Sequence, residues 1–271
     1  PIVMQGYWNK PEATAQALAA VAALAKTGAR DAVSYLATEP LPETDAYYRA
    51  RLAAEAVGSA LYRIPAMRRS SKPSPPALRS FGVAVPEKDQ KKDAERGLEH
   101  GRGIAAGAAL TRDLANLPAN VCTPSYLAQQ ARELARQHAS IKAQVLDEAA
   151  LRRLKMGALL SVTAGTEEPA KLIVLRHQGG PAGEAPVVLV GKGVTFDSGG
   201  ISLKQPPGMD EMKFDMTGAA SVFGTLKAAA EIGLPANVIG LVPACENMPS
   251  GRATKPGDIV RSMSGQTIEV I

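Results

Sequence analysis

Hydrophobic residues follow two spacings along the chain, one typical of strands and one typical of helices. Apolar runs predict strands at residues 141–147, 157–163, 171–177, 187–191 and 236–244, with two more strands joined around Ser264 and Gly265. The amphipathic segment 126–137 predicts a helix capped by Ser125 or Thr123, and the segment 217–233 predicts another between a threonine and a glycine. Strands separated by helices indicate an α/β fold for this part of the chain.

The amino-terminal part of the chain shows a similar alternation. Helical patterns near residues 12–27 and 43–63 alternate with strand-like segments at 31–37 and 78–85. Residues 65–76 combine prolines and serines with basic side chains. Because proline fits neither helix interiors nor central strands, the composition of this segment predicts an exposed loop.

A long helix is predicted from about residue 87 to residue 116, and its several glycines suggest close packing. Since 271 residues exceed the usual length of one domain, we expect two domains connected by this helix. The smaller amino-terminal α/β domain would cover residues 1–100, and the larger carboxyl-terminal α/β domain residues 117–271. In the larger domain we expect a mixed central sheet flanked by helices.

Candidate functional residues concentrate in the segment 187–215. The apolar run from Val187 to Val190 lacks polar alternation and fits a central parallel strand covered on both faces. Because α/β proteins carry their chemistry just past the carboxyl ends of such strands, Lys192 and Asp197 are well placed. The glycines around them allow a short loop to aim several side chains at one point. A phosphate-binding loop is the alternative, but residues 191–196 do not match G-x-G-x-x-G.

These side chains suit a metal site. Asp197 and Asp215 can supply the anionic oxygens that divalent cations prefer, and Lys192, if desolvated beside a cation, can lose its proton and become a neutral ligand. Lys204 would more naturally keep its charge and polarise a carbonyl oxygen. A structural alternative exists for Asp215, which lies just ahead of the predicted helix 217–233 and could offset its positive end.

The hydrophobic content of 45% is ample for a sizeable core. The cysteines and histidines argue against disulfide, thiolate-zinc and imidazole-zinc sites. Cys122 and Cys245 lie far apart without CxxC spacing, so we expect them to be free, buried and inert. The histidines His100, His138 and His177 lack an HExxH arrangement, which argues against an imidazole-ligated zinc protease.

Charge raises the question of nucleic-acid binding, because the net charge is +5 and the isoelectric point is near 9.2. The densest basic region comprises Arg63, Arg68, Arg69, Lys72 and Arg79. An exposed solubilising loop is the alternative interpretation, since no aromatic or recognition-helix motif accompanies these residues. No apolar stretch of about 18–20 residues could span a bilayer, so no membrane partner is expected and the cytoplasm is the default location.

Three stretches of the sequence are distinctive: VGKGVTFDSGGISLK at 190–204, MDEMKFDMTGAAS at 209–221 and PACENMPSGRATKPGDIVRSMSGQTIEV at 243–270. They resemble the leucyl aminopeptidase family of dinuclear metallopeptidases, the cytosolic M17 group. Weaker similarity at 112–124 and 156–165 extends the resemblance from about residue 100 onward. It implies that residues 117–271 form a metallopeptidase catalytic domain.

Particular residues acquire roles through this resemblance. It implies that Lys192, Asp197 and Asp215 are metal ligands, with Asp197 bridging two ions. Lys204 corresponds to the family's catalytic lysine. Met212 matches a position that lines the pocket for the first side chain of the substrate, although a buried core methionine is an equally good interpretation of its chemistry.

The resemblance also implies a reaction. A metal-dependent aminopeptidase would release amino-terminal residues, preferably leucine-like ones, from peptide substrates. Two divalent ions, zinc or manganese, would activate water and the scissile carbonyl, and bicarbonate would carry the proton. The family assembles as a homohexamer, a dimer of trimers, which the resemblance implies here too.

The family's remaining ligands and catalytic arginine lie in an N-T-D-A-E-G-R motif directly after the strand that matches residues 267–271, whereas the chain ends at Ile271. It also begins with Pro1 rather than methionine. We therefore expect the sequence to be a piece of a longer protein, incomplete at both ends. The alternative function is that of a catalytically incomplete subunit or a DNA-binding regulatory module.

Overall fold

The structure, a computed structural model, describes residues 23–24, 27–35, 38, 44–64 and 78–271. The chain divides into two units, Pro1–Ala109 and Leu110–Ile271. The predicted loop at 65–76 and most of the predicted helix near 12–27 lie outside the described residues. Of the five clustered basic residues, the structure describes Arg63 and Arg79.

The first unit contains a small parallel sheet and a capped helix. Strand β1 (Asp31–Ser34) pairs in parallel with β2 (Ser80–Val83). Helix α1 (Ala46–Leu61) begins where the Asp45 carboxylate accepts a hydrogen bond of 2.7 Å from the backbone N–H of Tyr48, as in a typical N-cap. The structure contains the helix predicted at 43–63 and the strands predicted at 31–37 and 78–85, but each is shorter than predicted.

Helix α2 (Lys91–Asn116) follows a 3₁₀ turn (Lys88–Gln90) and confirms the long helix predicted for 87–116. Its glycines allow close approach to α1. A Cβ atom on Gly97 would collide with the backbone carbonyl oxygen of Tyr47, so any larger residue there would push the two helices apart. The small residues of α2 thus serve helix packing, as the sequence suggested.

The second unit alternates helices and strands after the end of α2. In chain order its elements are α3 (Pro124–Gln137), β3 (Ile141–Leu146), α4 (Glu148–Arg153), α5 (Gly157–Val162), β4 (Lys171–Gln178), β5 (Val187–Val190), β6 (Gly193–Asp197), α6 (Thr217–Glu231), β7 (Asn237–Asn247), β8 (Ile259–Arg261) and β9 (Thr267–Glu269). Two 3₁₀ helices, Thr163–Gly165 and Met209–Phe214, lie in the connections. Thr123 caps α3 by accepting a hydrogen bond from the Tyr126 N–H, which decides between the two predicted caps.

Five strands form a mixed sheet in which β7 pairs with β4, β5 and β6. The order is β3-β4-β7-β5, and β6 pairs with β7 beyond β5. Strand β4 is antiparallel to β3 and β7, whereas β5 and β6 run parallel to β7. This mixed sheet with flanking helices is the predicted fold class.

The main core lies where α3, α6 and the end of α2 pack against the sheet. Its largest fully buried side chains include Leu127, Phe223, Leu226, Ile173 and Val242. Burial of each such side chain stabilises the fold by roughly 1.5–3 kcal/mol. A second cluster gathers Leu151, Ala170 and Cys245 with partly buried residues of α5 and neighbouring strands. Apolar residues therefore cover both sides of β7, because alternate residues of a strand point to opposite faces.

The prediction of a strand at 157–163 is wrong, because Gly157–Val162 forms helix α5. Short apolar runs are compatible with either a buried strand or a buried helix. Leu159 and Leu160 pack against the cluster around Cys245, and a Cβ atom on Gly157 would collide with the Arg261 carbonyl oxygen. Packing against sequence-distant residues decides the helix here.

The prediction that Val187–Val190 is covered on both faces is also wrong. The strand β5 exists, but its valines Val187, Val188 and Val190 are 58%, 50% and 71% exposed. Within the described residues β5 pairs with β7 alone. A continuous apolar run predicts a strand but does not specify what lies on its two faces.

The remaining predicted elements form. Helix α6, strand β7 and the antiparallel pair β8–β9 lie at the predicted places, and the turn of this pair contains Gly265 with φ of 88°. No helix within the described residues is both long enough and apolar enough to cross a membrane.

Candidate metal centre

Asp197 is the last residue of β6 and lies beside the last residue of β7. The two strands run parallel, with Asp197 opposite Asn247 after an irregularity in the register that follows Val194. The carboxyl ends of both strands therefore meet at one edge of the sheet, which is where α/β proteins place ligand-binding groups.

Three donors surround the Asp197 carboxylate. Its Oδ1 accepts hydrogen bonds from the Gly199 N–H at 3.0 Å and from Asn247 Nδ2 at 2.8 Å, and its Oδ2 accepts one of 2.7 Å from Lys204 Nζ. Burial by itself would raise the pKa of Asp197, but these hydrogen bonds and the positive charge of Lys204 outweigh it and lower the pKa. Asp197 is thus held as an anion.

The loop after β6 folds back so that Lys204 reaches Asp197. Ser198 donates to the Asn247 carbonyl oxygen twice, from its N–H at 2.9 Å and from its Oγ at 2.7 Å. The Lys204 N–H then donates to the Ser198 carbonyl oxygen at 2.9 Å. The turn requires Gly199 with φ of +89°, a conformation that most other residues avoid.

Lys204 also contacts Met212. The Lys204 amine lies 2.9 Å from the Met212 sulfur, which belongs to the 3₁₀ helix Met209–Phe214. Met212 is half-buried rather than part of the core clusters. Its thioether therefore lies directly beside the predicted catalytic lysine.

Lys192 and Asp215 form a second lysine–aspartate pair. Lys192 lies between β5 and β6, and Asp215 follows the 3₁₀ helix two residues before α6. Lys192 Nζ and Asp215 Oδ2 are 2.8 Å apart. The backbone carbonyl of Lys192 accepts a hydrogen bond from the Ala219 N–H at 2.8 Å, which anchors Lys192 to the first turn of α6.

The two pairs are joined through Met212. Its carbonyl oxygen accepts a hydrogen bond of 3.2 Å from the Asp215 N–H, while its sulfur accepts one from Lys204. The five residues singled out in the sequence thus form one continuous series of contacts, in the order Asp197, Lys204, Met212, Asp215 and Lys192.

Asp215 Oδ2 provides a test of whether these residues suit a metal ion. This oxygen is buried and has no partner with hydrogen-bond geometry, although Lys192 Nζ is 2.8 Å away. The two side chains attract each other electrostatically at this distance, but the direction of the contact leaves a lone pair of Oδ2 unsatisfied. Buried acceptors normally have partners, so an oxygen in this state is suited to a cation.

The described residues contain no group of three or more histidine, cysteine, aspartate or glutamate side chains arranged to hold a metal. Asp197 and Asp215 are the two carboxylates, and a third ligand from these residues would have to be the Lys192 amine. Both carboxylates already contact a lysine. A divalent cation bound by these carboxylates would therefore compete with both lysine contacts.

Sequence reasoning missed Asn247, which lies in contact with Asp197. The signal was available in part, because Asn247 follows the apolar run 236–244 and falls at the carboxyl end of that strand. The pairing of β6 with β7 could not be read from the sequence. Only this pairing brings the amide of Asn247 onto Asp197.

The cysteines and histidines lie in structural positions. Cys122 and Cys245 are free and buried, as predicted. His100 contacts the Tyr47 hydroxyl at 2.9 Å, and His177 Nε2 lies 3.0 Å from the Leu234 carbonyl oxygen. His138 lies 3.8 Å from Glu231. None of these contacts involves the five candidate residues.

The family model and the curated relatives that match this chain all point to the same protein family. Residues 109–271 match the model described as "Cytosol aminopeptidase family, catalytic domain". The chain is 50% identical over 279 aligned residues to a probable cytosol aminopeptidase of Bordetella petrii, covering 100% of this chain and 56% of that protein. It is 49% identical to a probable cytosol aminopeptidase of Ralstonia nicotianae, covering 100% of this chain and 55% of that one.

Solved structures show the same similarity. The bottromycin maturation enzyme BotP in complex with Mn is 38% identical, with a TM-score of 0.80 over 94% of this chain and 53% of that one. A mutant of tomato leucine aminopeptidase is 34% identical, with a TM-score of 0.82 over 98% of this chain and 51% of that one. The chain spans about half the length of the curated relatives that it matches.

Proposed function

This chain belongs to the cytosol aminopeptidase family, and from this membership we propose that it contributes to metal-dependent removal of amino-terminal residues from peptides. The observation that carries the proposal is the continuous series of contacts from Asp197 through Lys204, Met212 and Asp215 to Lys192. It gathers two carboxylates, two lysine amines and a thioether, which together can hold a cation and receive a peptide carbonyl.

We propose that Asp197, Asp215 and Lys192 hold the metal. The buried Asp215 Oδ2 without a hydrogen-bond partner supports this assignment. A bound divalent cation supplies Lewis-acid polarisation of the scissile carbonyl and lowers the pKa of water. Manganese is our first choice, because the similar BotP structure contains Mn. From the family resemblance we also propose that the site holds two ions, that zinc is the alternative metal, and that bicarbonate carries the proton.

Lys204 is proposed as the catalytic residue that stabilises negative charge on the carbonyl oxygen of the substrate. Its side chain is 37% exposed, so its amine can reach a bound molecule while Asp197 and Met212 restrict its orientation. Donors held in place in this way stabilise a developing oxyanion without reorganising during the reaction.

Met212 is proposed to line the pocket for the first side chain of the substrate. Its sulfur lies 2.9 Å from Lys204 Nζ, so an apolar surface adjoins the proposed catalytic amine. A side chain next to the scissile carbonyl would therefore meet a flexible apolar group, which suits a leucine-like residue. The name of the tomato relative, a leucine aminopeptidase, supports the same preference.

For the whole protein we propose peptide substrates, a cytoplasmic location in keeping with the family name, and a homohexamer built as a dimer of trimers. Light scattering coupled to gel filtration checks the assembly. Within the described residues nothing favours the DNA-binding alternative. Arg63, one of the two described members of the basic region, donates to the carbonyl oxygens of Ala60 and Tyr62 at the end of α1.

The test is hydrolysis of leucine-p-nitroanilide by the whole protein, treated with EDTA, before and after Mn²⁺ is added. We expect activity only with Mn²⁺ and its loss in Asp197→Asn. Asp210→Asn removes an exposed carboxylate from the neighbouring 3₁₀ helix and serves as the matched control, with activity retained. The absence of Mn²⁺-dependent hydrolysis by the wild-type protein would overturn the proposal.

A further inference from the structure

Asn247 occupies the point where the two strands that carry the candidate site end together. It is the last residue of β7 and lies opposite Asp197, the last residue of β6. Its side chain is half-buried and belongs to none of the core clusters.

The Asn247 side chain binds the Asp197 carboxylate directly. Its Nδ2 donates to Asp197 Oδ1 at 2.8 Å, and the Gly199 N–H donates to the same oxygen at 3.0 Å. Two donors on one oxygen restrict rotation of the carboxylate about its χ2 torsion. The second oxygen, Oδ2, then faces Lys204.

The Asn247 backbone holds the loop that follows Asp197. Its carbonyl oxygen accepts both the N–H and the hydroxyl of Ser198. A Cβ atom on Gly200 would lie 2.7 Å from Asn247 Oδ1, so the loop passes closely over the amide. Asn247 therefore contacts the carboxylate and the start of the loop at the same time.

We propose that Asn247 is a positioning residue that holds Asp197 in the orientation needed to bind a divalent cation. This inference rests on the proposed function, because it assumes that Asp197 is a metal ligand. In this role Asn247 acts on the cation through Asp197.

The chemistry of an amide suits this role. A neutral N–H donor orients the carboxylate without cancelling its charge, whereas a second lysine would compete with the cation. An acidic residue at position 247 would have no donor to offer to Asp197 Oδ1. Groups that hydrogen-bond to metal-ligating carboxylates typically contribute about 10- to 100-fold to metal affinity or activity.

The test uses Asn247→Leu, which keeps the approximate size of the side chain and removes its donor. The matched control is Asn237→Leu, at the other end of β7. Asn237 is also half-buried, and its Nδ2 donates to the carbonyl oxygens of Pro181 and Glu184, far along the strand from Asp197. Affinity for Mn²⁺ is measured by electron paramagnetic resonance of the free ion, which does not depend on enzymatic activity. Circular dichroism checks folding.

We expect Asn247→Leu to weaken Mn²⁺ binding by about 10- to 100-fold and Asn237→Leu to leave it unchanged. Wild-type affinity in Asn247→Leu, or equal weakening in both variants, would overturn the positioning role while leaving the proposed function intact. Absence of Mn²⁺ binding by the wild-type protein would overturn both. If Asn247→Leu does not fold, Asn247→Ala is measured in its place with the same expected loss, against Asn237→Ala as control.

Discussion

The side-chain amine of Lys204 lies 2.7 Å from Asp197 Oδ2, so the proposed catalytic lysine and a proposed metal ligand share one ion pair. Lys192 and Asp215 form a second pair at 2.8 Å. Each proposed ligand carboxylate thus has a lysine beside it. Cation binding and lysine contacts are therefore linked, since both depend on the same oxygens.

Replacing Lys204 by alanine separates metal binding from catalysis. We expect turnover of leucine-p-nitroanilide at saturating Mn²⁺ to fall by about 10²- to 10³-fold, because a donor to the developing oxyanion is lost. Mn²⁺ affinity should be equal to or higher than that of the wild type, since a positive charge beside Asp197 is removed. Lys213→Ala is the control, because Lys213 lies over the Phe214 ring instead of contacting Asp197. Unchanged turnover in Lys204→Ala would refute its role.

Replacing Met212 by alanine should change substrate preference more than metal binding. The preference for leucine over alanine at the amino terminus, measured as the ratio of kcat/KM values, should fall by about 10-fold, because apolar contact with the larger side chain is lost. Met212→Leu keeps most of the apolar volume and should retain most of the preference. If Met212→Ala left the ratio unchanged, Met212 would not belong to the substrate pocket.

The two cysteines should be unreactive in the folded protein. Burial raises the pKa of the Cys122 thiol and of the Cys245 thiol to about 12 in each case. At pH 8 both thiols are therefore protonated, and the thiolate is the reactive form. We expect no reaction with Ellman's reagent in native protein and two equivalents of released thiolate in guanidinium chloride. Rapid reaction of either thiol in the native protein would contradict its buried position.

Glu246 should make the stability of the fold fall as the pH rises. Burial raises the pKa of Glu246; the hydrogen bond from Thr166 lowers it and the charge of Glu168 raises it, with a net upward shift. Between the unfolded and the folded pKa the unfolded chain binds fewer protons, so stability is highest below the unfolded pKa and decreases as the pH rises through the folded pKa.

Glu246→Gln removes this titration while its amide oxygen can still accept from Thr166. The Tm of this variant should exceed that of the wild type at pH 7.5, and the two values should converge near pH 4. Glu269→Gln, which changes an exposed glutamate in β9, is the control. A Tm difference that is independent of pH would show that the charge of Glu246 is not responsible.

Local sequence patterns predicted β5, α6 and β7 around the site, but they did not predict β6, which carries Asp197, or the 3₁₀ helix that carries Met212. The apolar run 236–244 predicted β7, and the helix-forming composition of 217–233, between a threonine and a glycine, predicted α6. The segment 157–163 was predicted wrongly as a strand, since seven mostly apolar residues do not distinguish the two periodicities. Contacts with Cys245 and Arg261, far along the chain, decide its helical form.

The sequence by itself determined which chemical groups are available, because residue types and their spacing on one glycine-rich segment singled out Lys192, Asp197, Lys204 and Asp215, and the family resemblance added Met212. Only the tertiary structure decided how these groups pair. Hydrogen bonds between β6 and β7 place Asn247 on Asp197, and the turn at Gly199 brings Lys204 to the same carboxylate. Strand pairing joins residues that are distant in the chain, and local patterns of hydrophobic and polar residues carry no information about such partners.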